Sequence, residues 1–274
     1  MATKVAKTYK LYINGAFVRS ESGRSRAIAH PKLKDTNIPA GSRKDFRDAV
    51  RAARTAWPGW ASKTAYNRGQ VVYRTAEVLE SRRAEFMDLL GGGRAAAAEV
   101  TDSVALLVWY AGICDKITQV AGSVNQVAGP YLSVSIPEST GVVTVFAPDT
   151  PGLYGLVQHA AAALAGGNPV VAVTSELLPI VGLAFAEVIA TSDVSAGVFN
   201  IISASRQELL SWVATHRDVN AIDVSGCTDE QRKLVEDKAA ESVVRVVNWQ
   251  GREPSPYLVS SFMEVKTTWH PVGV

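Results

Sequence analysis

Residues suited to metal or redox chemistry are scarce. Of 274 residues only two are cysteine, Cys114 and Cys227, and four are histidine, His30, His159, His216 and His270. So few cysteines exclude a disulfide framework, a multi-cysteine zinc site and an iron–sulfur cluster. No histidine pair has the i, i+4 spacing that sets two imidazoles on one helix face, and no metal is expected. A charge surplus is missing too: 28 basic against 26 acidic residues leave +2. That is too little for a nucleic-acid footprint, so nucleic acid is not an expected partner. There is no Gly-x-Gly-x-x-Gly and no P-loop. Gly91, Gly92 and Gly93 follow a predicted helix rather than a strand, and read as a helix stop. The least charged stretch, 151–175, contains Gly166-Gly167-Asn168-Pro169, which breaks a helix, so it is not read as a membrane span. Residues 1–10 carry three lysines and no apolar run long enough for a signal peptide. The expectation is a soluble, cytoplasmic protein with no membrane partner.

What is present is a chain able to bury a core: 47% hydrophobic and 20% charged residues exclude disorder. The length suits two domains or one large α/β unit. Residues 9–19 alternate around Asn14-Gly15, a strong hairpin signal, and the ribbon is expected to continue to residue 29. Ser42 with Asp45 three residues on starts a helix, with Phe46, Val50, Ala53 and Trp57 on one face and Pro58-Gly59 as its stop. Helices follow over 64–90, broken near Ser81, and over 95–120. Strands are expected at 131–136 and 142–146. Beyond them helices (153–165, 179–190, 207–215, 229–240) alternate with strands (169–173, 198–202, 221–224, 243–247). That alternation means βαβ units and a parallel sheet, which binds ligands outside the carboxyl ends of its strands. Residues 257–269 form a last extended segment with no helix after it, so this strand needs a partner.

One local feature carries chemistry. Residues 223–228 sit where a strand ends and a helix begins, where backbone N–H groups meet anions. Cys227 there is either a nucleophile with a lowered pKa or a small packing residue, and packing is favoured because only His216 lies nearby in sequence. Cys114, in an apolar helix, reads as core. Trp57, Trp60 and Trp109 read as core, and Trp269 as an interface anchor.

The order of segments resembles the aldehyde dehydrogenase superfamily. Leu11-Tyr12-Ile13-Asn14-Gly15 with Ser22-Gly23 looks like its N-terminal ribbon. Residues 49–54, then Trp60 and Arg68, look like its first helices. Thr140 to Pro148 looks like the strand leading into its Pro-Trp-Asn turn. Leu164 to Val171, then Ser175-Glu176, look like its Gly-Asn-x-Val-Val…Lys-Pro-Ser-Glu segment. Gly197 to Ile202 and His216 to Val219 also fit. The resemblance implies a Rossmann-like, doubly wound α/β sheet over residues 1–250, preceded by helices, with 9–29 and 128–137 contributing to an oligomerisation ribbon. It implies degenerate NAD(P) contacts at Pro148, Thr150, Ser175, Glu176 and Gly226.

The family's catalytic residues are not matched. Thr150 stands where the oxyanion-hole Asn belongs, and Asp149 places negative charge beside it. Val173 replaces the ribose-binding Lys, Gln231 the second Gly of the phosphate turn, and Asn248 stands near the place of the general base. No catalytic residue is therefore assigned. About two dozen residues remain where the family has its cysteine-bearing catalytic domain, and residues 251–274 resemble its C-terminal oligomerisation tail instead. Phe262, Glu264, Lys266, Thr267 and Trp269 are the expected interface residues. The resemblance implies a non-catalytic subunit that joins a full-length aldehyde dehydrogenase paralogue, or itself. The alternative is a degenerate NAD(P)-binding regulatory module acting as a homo-oligomer.

Overall fold

The computed structural model describes residues 7–30 and 36–273. Most of the stretch read for a signal peptide thus lies outside the described residues. The chain begins with a hairpin, β1 (Leu11–Ile13) and β2 (Ala16–Val18), turning on Asn14 and Gly15 at φ 52° and 76°. Positive φ at both central residues is what a two-residue hairpin of this hand needs. Strands β3 (Ser25–Ala27) and β4 (Asn37–Pro39) pair antiparallel.

Helix α1 (Arg43–Ala61) starts on the expected capping box. The Asp45 N–H donates to Ser42 Oγ (3.2 Å) and the Ser42 N–H to Asp45 Oδ2 (2.7 Å). Asp45 also accepts from Ser20 Oγ (2.7 Å) and the Glu21 N–H, so the cap anchors the preceding loop. Ser42→Ala is expected to cost about 1 kcal/mol and lower the melting midpoint by about 2–4 °C, read by calorimetry. Pro58-Gly59 does not stop the helix, contrary to the sequence expectation. Its last turn is held because Trp60 is buried and its Nε1 donates to the Leu164 carbonyl (3.2 Å). Next come α2 (Ala65–Ser81), α3 (Arg83–Leu89), α4 (Gly93–Ile113) and α5 (Ile117–Ala121). Gly91 and Gly92 between α3 and α4, and Gly93 at the start of α4, all take φ above +80°, which only glycine adopts without strain.

The remaining elements are β5 (Ser123–Asn125), β6 (Tyr131–Ser139), β7 (Val143–Phe146), α6 (Gly152–Ala165), β8 (Val170–Val173), α7 (Pro179–Ala190), β9 (Phe199–Ile202), α8 (Arg206–Ala214), β10 (Ala221–Asp223), α9 (Asp229–Ala240), β11 (Arg245–Val247), α10 (Pro256–Ser261) and β12 (Met263–Pro271). Strands β11-β10-β7-β8-β9 form a parallel sheet, extended antiparallel by β1 and β2. Alternate strand residues face two cores. Val143, Val145, Val170 and Ala172 pack with α6, α7, α2 and α4, while Phe146, Val171 and Val173 pack with α1, α8 and α9. A doubly wound α/β architecture is therefore the observed one. Helix α4 is long and apolar enough to span a membrane by composition, but it packs on α2 and α6 through buried Leu106, Leu107 and Tyr110.

Three further sequence expectations need correction. The helix read over 95–120 ends at Ile113, and a separate short helix covers Ile117–Ala121. Residues 9–29 do not share a ribbon with 128–137: β1 pairs with β9 at Tyr12–Ile201 and joins the central sheet. Leu11, Tyr12 and Ile13 are all buried, so this strand needs cover on both faces, which an exposed ribbon cannot supply. The segment 257–269 is also not wholly extended. Ser255 and Pro256 open helix α10, with Ser255 Oγ accepting the Tyr257 N–H (3.2 Å). Only then does β12 pair with β6 over nine residues, Met263 opposite Ser139 through Pro271 opposite Tyr131. With β5 on the other side of β6, this makes a separate three-stranded sheet.

Candidate functional site

Ligands of a parallel sheet bind beyond the carboxyl ends of its strands. Here that region is built by the loops after β7, β8, β9 and β10. The loop after β7 presents Asp149. Its Oδ1 accepts from Ser175 Oγ (2.8 Å) and from the Glu176 N–H (2.8 Å), both in the loop after β8. Arg206, the first residue of α8, enters from the third side. Its guanidinium places one nitrogen on each carboxylate oxygen of Asp149 (both 3.0 Å) and donates to the Ala147 carbonyl (2.6 Å). Glu176 Oε1 accepts the Arg206 N–H (3.0 Å), so a carboxylate covers the N-terminus of α8 where the helix dipole favours an anion. Partial burial acts to raise the Asp149 carboxyl. The Arg206 guanidinium, the Ser175 hydroxyl and the Glu176 N–H outweigh it, and the group lies below its ordinary value.

The expected NAD(P) contacts can now be placed. Ser175 and Glu176 are both committed to this network. Pro148 packs its ring on Gly155, where a Cβ would come within 2.9 Å of Pro148 Cγ. Thr150 is exposed. At Gly226 a Cβ would lie 2.3 Å from the Phe146 carbonyl oxygen and 2.7 Å from the Pro148 nitrogen. That glycine is demanded by the chain's own backbone. Helices α8 and α9 pack directly against each other, with Leu209, Leu210 and Val235 buried in the same core. Asp149, Ser175, Glu176 and Arg206 bond to one another at the ends of the sheet strands, and Glu176 also lines a cavity of about 170 Å³ with Ala204, Ser205 and Glu208.

Cys227 is half-buried, and burial, with the carboxylates of Asp223, Glu176 and Asp149 adding to it, pushes its thiol up to about 12 despite the opposing Arg206 charge. A thiol in that range is protonated at neutral pH and is not a nucleophile. Alkylation at pH 8 in the folded chain is expected to be on the order of a thousandfold slower than after denaturation, following the thiolate fraction. Timed iodoacetamide labelling with peptide mass spectrometry reads this; equal rates before and after unfolding would overturn it. Cys114 is fully buried, as expected.

Sequence reasoning missed two pairings. Arg206 gave no signal, because nothing in the sequence places the start of α8 against the loop after β7. His159 gave no sign of its partner either. Its Nδ1 lies 2.7 Å from Asp223 Oδ2, with both side chains buried between α6 and β10. An isolated Asp at an apolar strand end and a His inside an apolar helix were the available clue, since buried polar groups require partners. Among the expected interface residues, Phe262 is corrected: it is fully buried, held where the Asn168 amide donates to its carbonyl (2.9 Å). It follows α10 directly, so its ring turns into the core. Glu264 accepts from Thr140 Oγ1 (3.1 Å), Lys266 pairs with Glu138 (2.5 Å), Thr267 shares a hydrogen bond with Ser135 (2.8 Å), and Trp269 meets Tyr131 edge-on. All four sit on exposed β12.

The comparisons with known proteins agree with this architecture. The sequence profile of the Aldehyde dehydrogenase family matches residues 17–266. The chain is 30% identical over 266 residues to the putative aldehyde dehydrogenase DhaS of Bacillus subtilis, covering 93% of this chain and 53% of that protein. It is 28% identical over 249 residues to the mitochondrial 10-formyltetrahydrofolate dehydrogenase of Mus musculus, covering 87% of this chain and 27% of that one. Among solved structures, the NAD+ complex of an aldehyde dehydrogenase from Bacillus cereus superposes with a TM-score of 0.79 at 25% identity, over 88% of this chain and 50% of that one. An aldehyde dehydrogenase from Brucella melitensis gives 0.80 at 18% identity, over 87% and 50%, a likeness of fold. The chain spans between about a quarter and a half of these relatives. By profile, order of elements and superposition, this chain belongs to the aldehyde dehydrogenase family.

Proposed function

We propose that this chain is a non-catalytic aldehyde dehydrogenase-like subunit. It assembles with a full-length aldehyde dehydrogenase, which performs the NAD(P)-dependent aldehyde oxidation, and it stabilises or regulates that partner in the cytoplasm. The observation that carries the reading is the bonding of Asp149, Ser175, Glu176 and Arg206 to one another where the strands end. The protonated Cys227 thiol, and Asn248 near the place of the family's general base, support it. The same mutual bonding weighs against the homo-oligomeric NAD(P)-binding alternative.

The docking element is the three-stranded sheet. Strand β12 is its edge, with one row of main-chain groups outside the β6 ladder. Val265 and Trp269 are 62% and 60% exposed on it, and Val124, Leu132 and Ile136 are exposed on the neighbouring strands. An edge of this length is an aggregation hazard unless covered, and strand addition by a partner supplies affinity through main-chain bonds.

Native mass spectrometry of the protein purified gently from its own host tests the reading. A heteromer with a full-length aldehyde dehydrogenase is expected. A monomer or a homo-oligomer overturns it. In the heteromer, Val265→Lys with Trp269→Ala is expected to release the subunit while leaving its own melting midpoint within about 2 °C, because both side chains are exposed.

A further inference from the structure

A cleft of about 610 Å³ lies between α4, α6 and the segment leading into α10. Asp102, Ala105, Leu106 and Trp109 line it from α4, at the i, i+3, i+4, i+7 positions that share one helix face. Tyr154 lines it from α6, and Arg252 and Glu253 close the third side. The segment carrying these two charges is held by its backbone. Gln158 Nε2 donates to the Gly251 (2.9 Å) and Arg252 (3.2 Å) carbonyls, and Tyr154 Oη donates to the Arg252 carbonyl. No side-chain charge is consumed by that fastening. Among the described residues neither Asp102, Arg252 nor Glu253 enters an ion pair. All three are exposed and line the same cleft.

We propose that this cleft binds a small zwitterion with an apolar, aromatic body, the class of an aromatic α-amino acid. The Arg252 guanidinium presents a two-toothed donor for a carboxylate. Asp102 and Glu253 face the ammonium. Leu106 and Ala105 supply an apolar floor, and the indole of Trp109, fixed edge-on against Tyr110 at 5.1 Å, supplies a ring for stacking. Charges of both signs left unpaired around aromatic walls suit a ligand carrying both signs better than a neutral aldehyde. The cleft volume lies in the roughly 300–1,000 Å³ range of small-molecule sites. The site stands apart from the Asp149–Arg206 network and does not depend on the assembly reading.

Isothermal titration of the full chain with L-phenylalanine tests it, beside phenylalaninamide, which lacks the carboxylate, and 3-phenylpropionate, which lacks the ammonium. Saturable binding of phenylalanine is expected, with each single-charge probe at least about tenfold weaker. Arg252→Gln is expected to weaken phenylalanine about tenfold and leave phenylalaninamide within about twofold, since only the carboxylate contact is lost. No saturable heat from phenylalanine, all three probes within about threefold of one another, or an Arg252→Gln variant that binds phenylalanine normally would each overturn the proposal. The three-probe comparison uses the unaltered chain, so its outcome does not hinge on any variant folding.

Discussion

Asp149→Ala is expected to destabilise the chain by about 3 kcal/mol, because it strands the Arg206 guanidinium, whose side chain is only 4% exposed. In a chain of this size that is a drop of about 6–12 °C in melting midpoint. The loss exceeds the worth of a surface ion pair, about 0–1 kcal/mol, because the surviving partner is buried. Removing both charges in an Asp149→Ala, Arg206→Met double variant is expected to restore part of the loss, and the difference measures the coupling. The effect has a definite pH dependence. The Asp149 carboxyl lies below its ordinary value in the fold. Its contribution is therefore fully present above the ordinary carboxylate pKa and is lost as pH falls through the lowered folded value. Wild type and Asp149→Ala are thus expected to differ most near neutrality and to converge in acid. A constant difference down to about pH 2 would remove the pairing as its cause.

Gly226→Ala is expected to prevent the chain from accumulating in its folded form. The added Cβ meets the Phe146 oxygen at 2.3 Å, the Ala147 carbonyl carbon at 2.7 Å and the Pro148 nitrogen at 2.7 Å. These are backbone atoms at the end of a central strand and cannot rotate aside. Relief would have to pull β7 away from the turn after β10, at a cost of about 4 kcal/mol or more, the range of severe core lesions. Gly59→Ala is the control. It lies inside α1 with nothing within 4 Å of its added Cβ, so it is expected to stabilise by about 0.5–1 kcal/mol. Soluble yield and chemical denaturation of the two variants side by side read both effects. Equal stability of Gly226→Ala and wild type would show that the turn is not packed as described.

The glycine also bears on the site. In the sequence, Gly226 and Ser175-Glu176 look like surviving pieces of a cofactor cleft. In three dimensions each is explained by a neighbour within the chain. Gly226 makes room for β7, Ser175 binds Asp149, and Glu176 covers the start of α8. Residue types that survive at a motif therefore report the fold here more directly than they report a ligand.

The sequence by itself determined the elements and their class. Alternation of short apolar runs with helical stretches of about ten residues dictates parallel βαβ units. The local signals at Ser42–Asp45, Asn14-Gly15 and Gly91–Gly93 placed starts, turns and stops where the structure has them, since capping and positive φ act within a few residues. Local signals misplaced several boundaries. Burial of Trp60 carried α1 past Pro58-Gly59, and Ser255-Pro256 opened a helix inside an apparently extended segment. What only the tertiary structure decided were the long-range partners. Arg206 meets Asp149 across 57 positions, His159 meets Asp223 across the packing of α6 on the sheet, β1 chooses β9, and β12 chooses β6. Each joins groups far apart in the chain, so no local spacing encodes it. The partner is set by which buried charge or unpaired edge the folded layers bring within reach, because a buried charge left alone costs several kcal/mol.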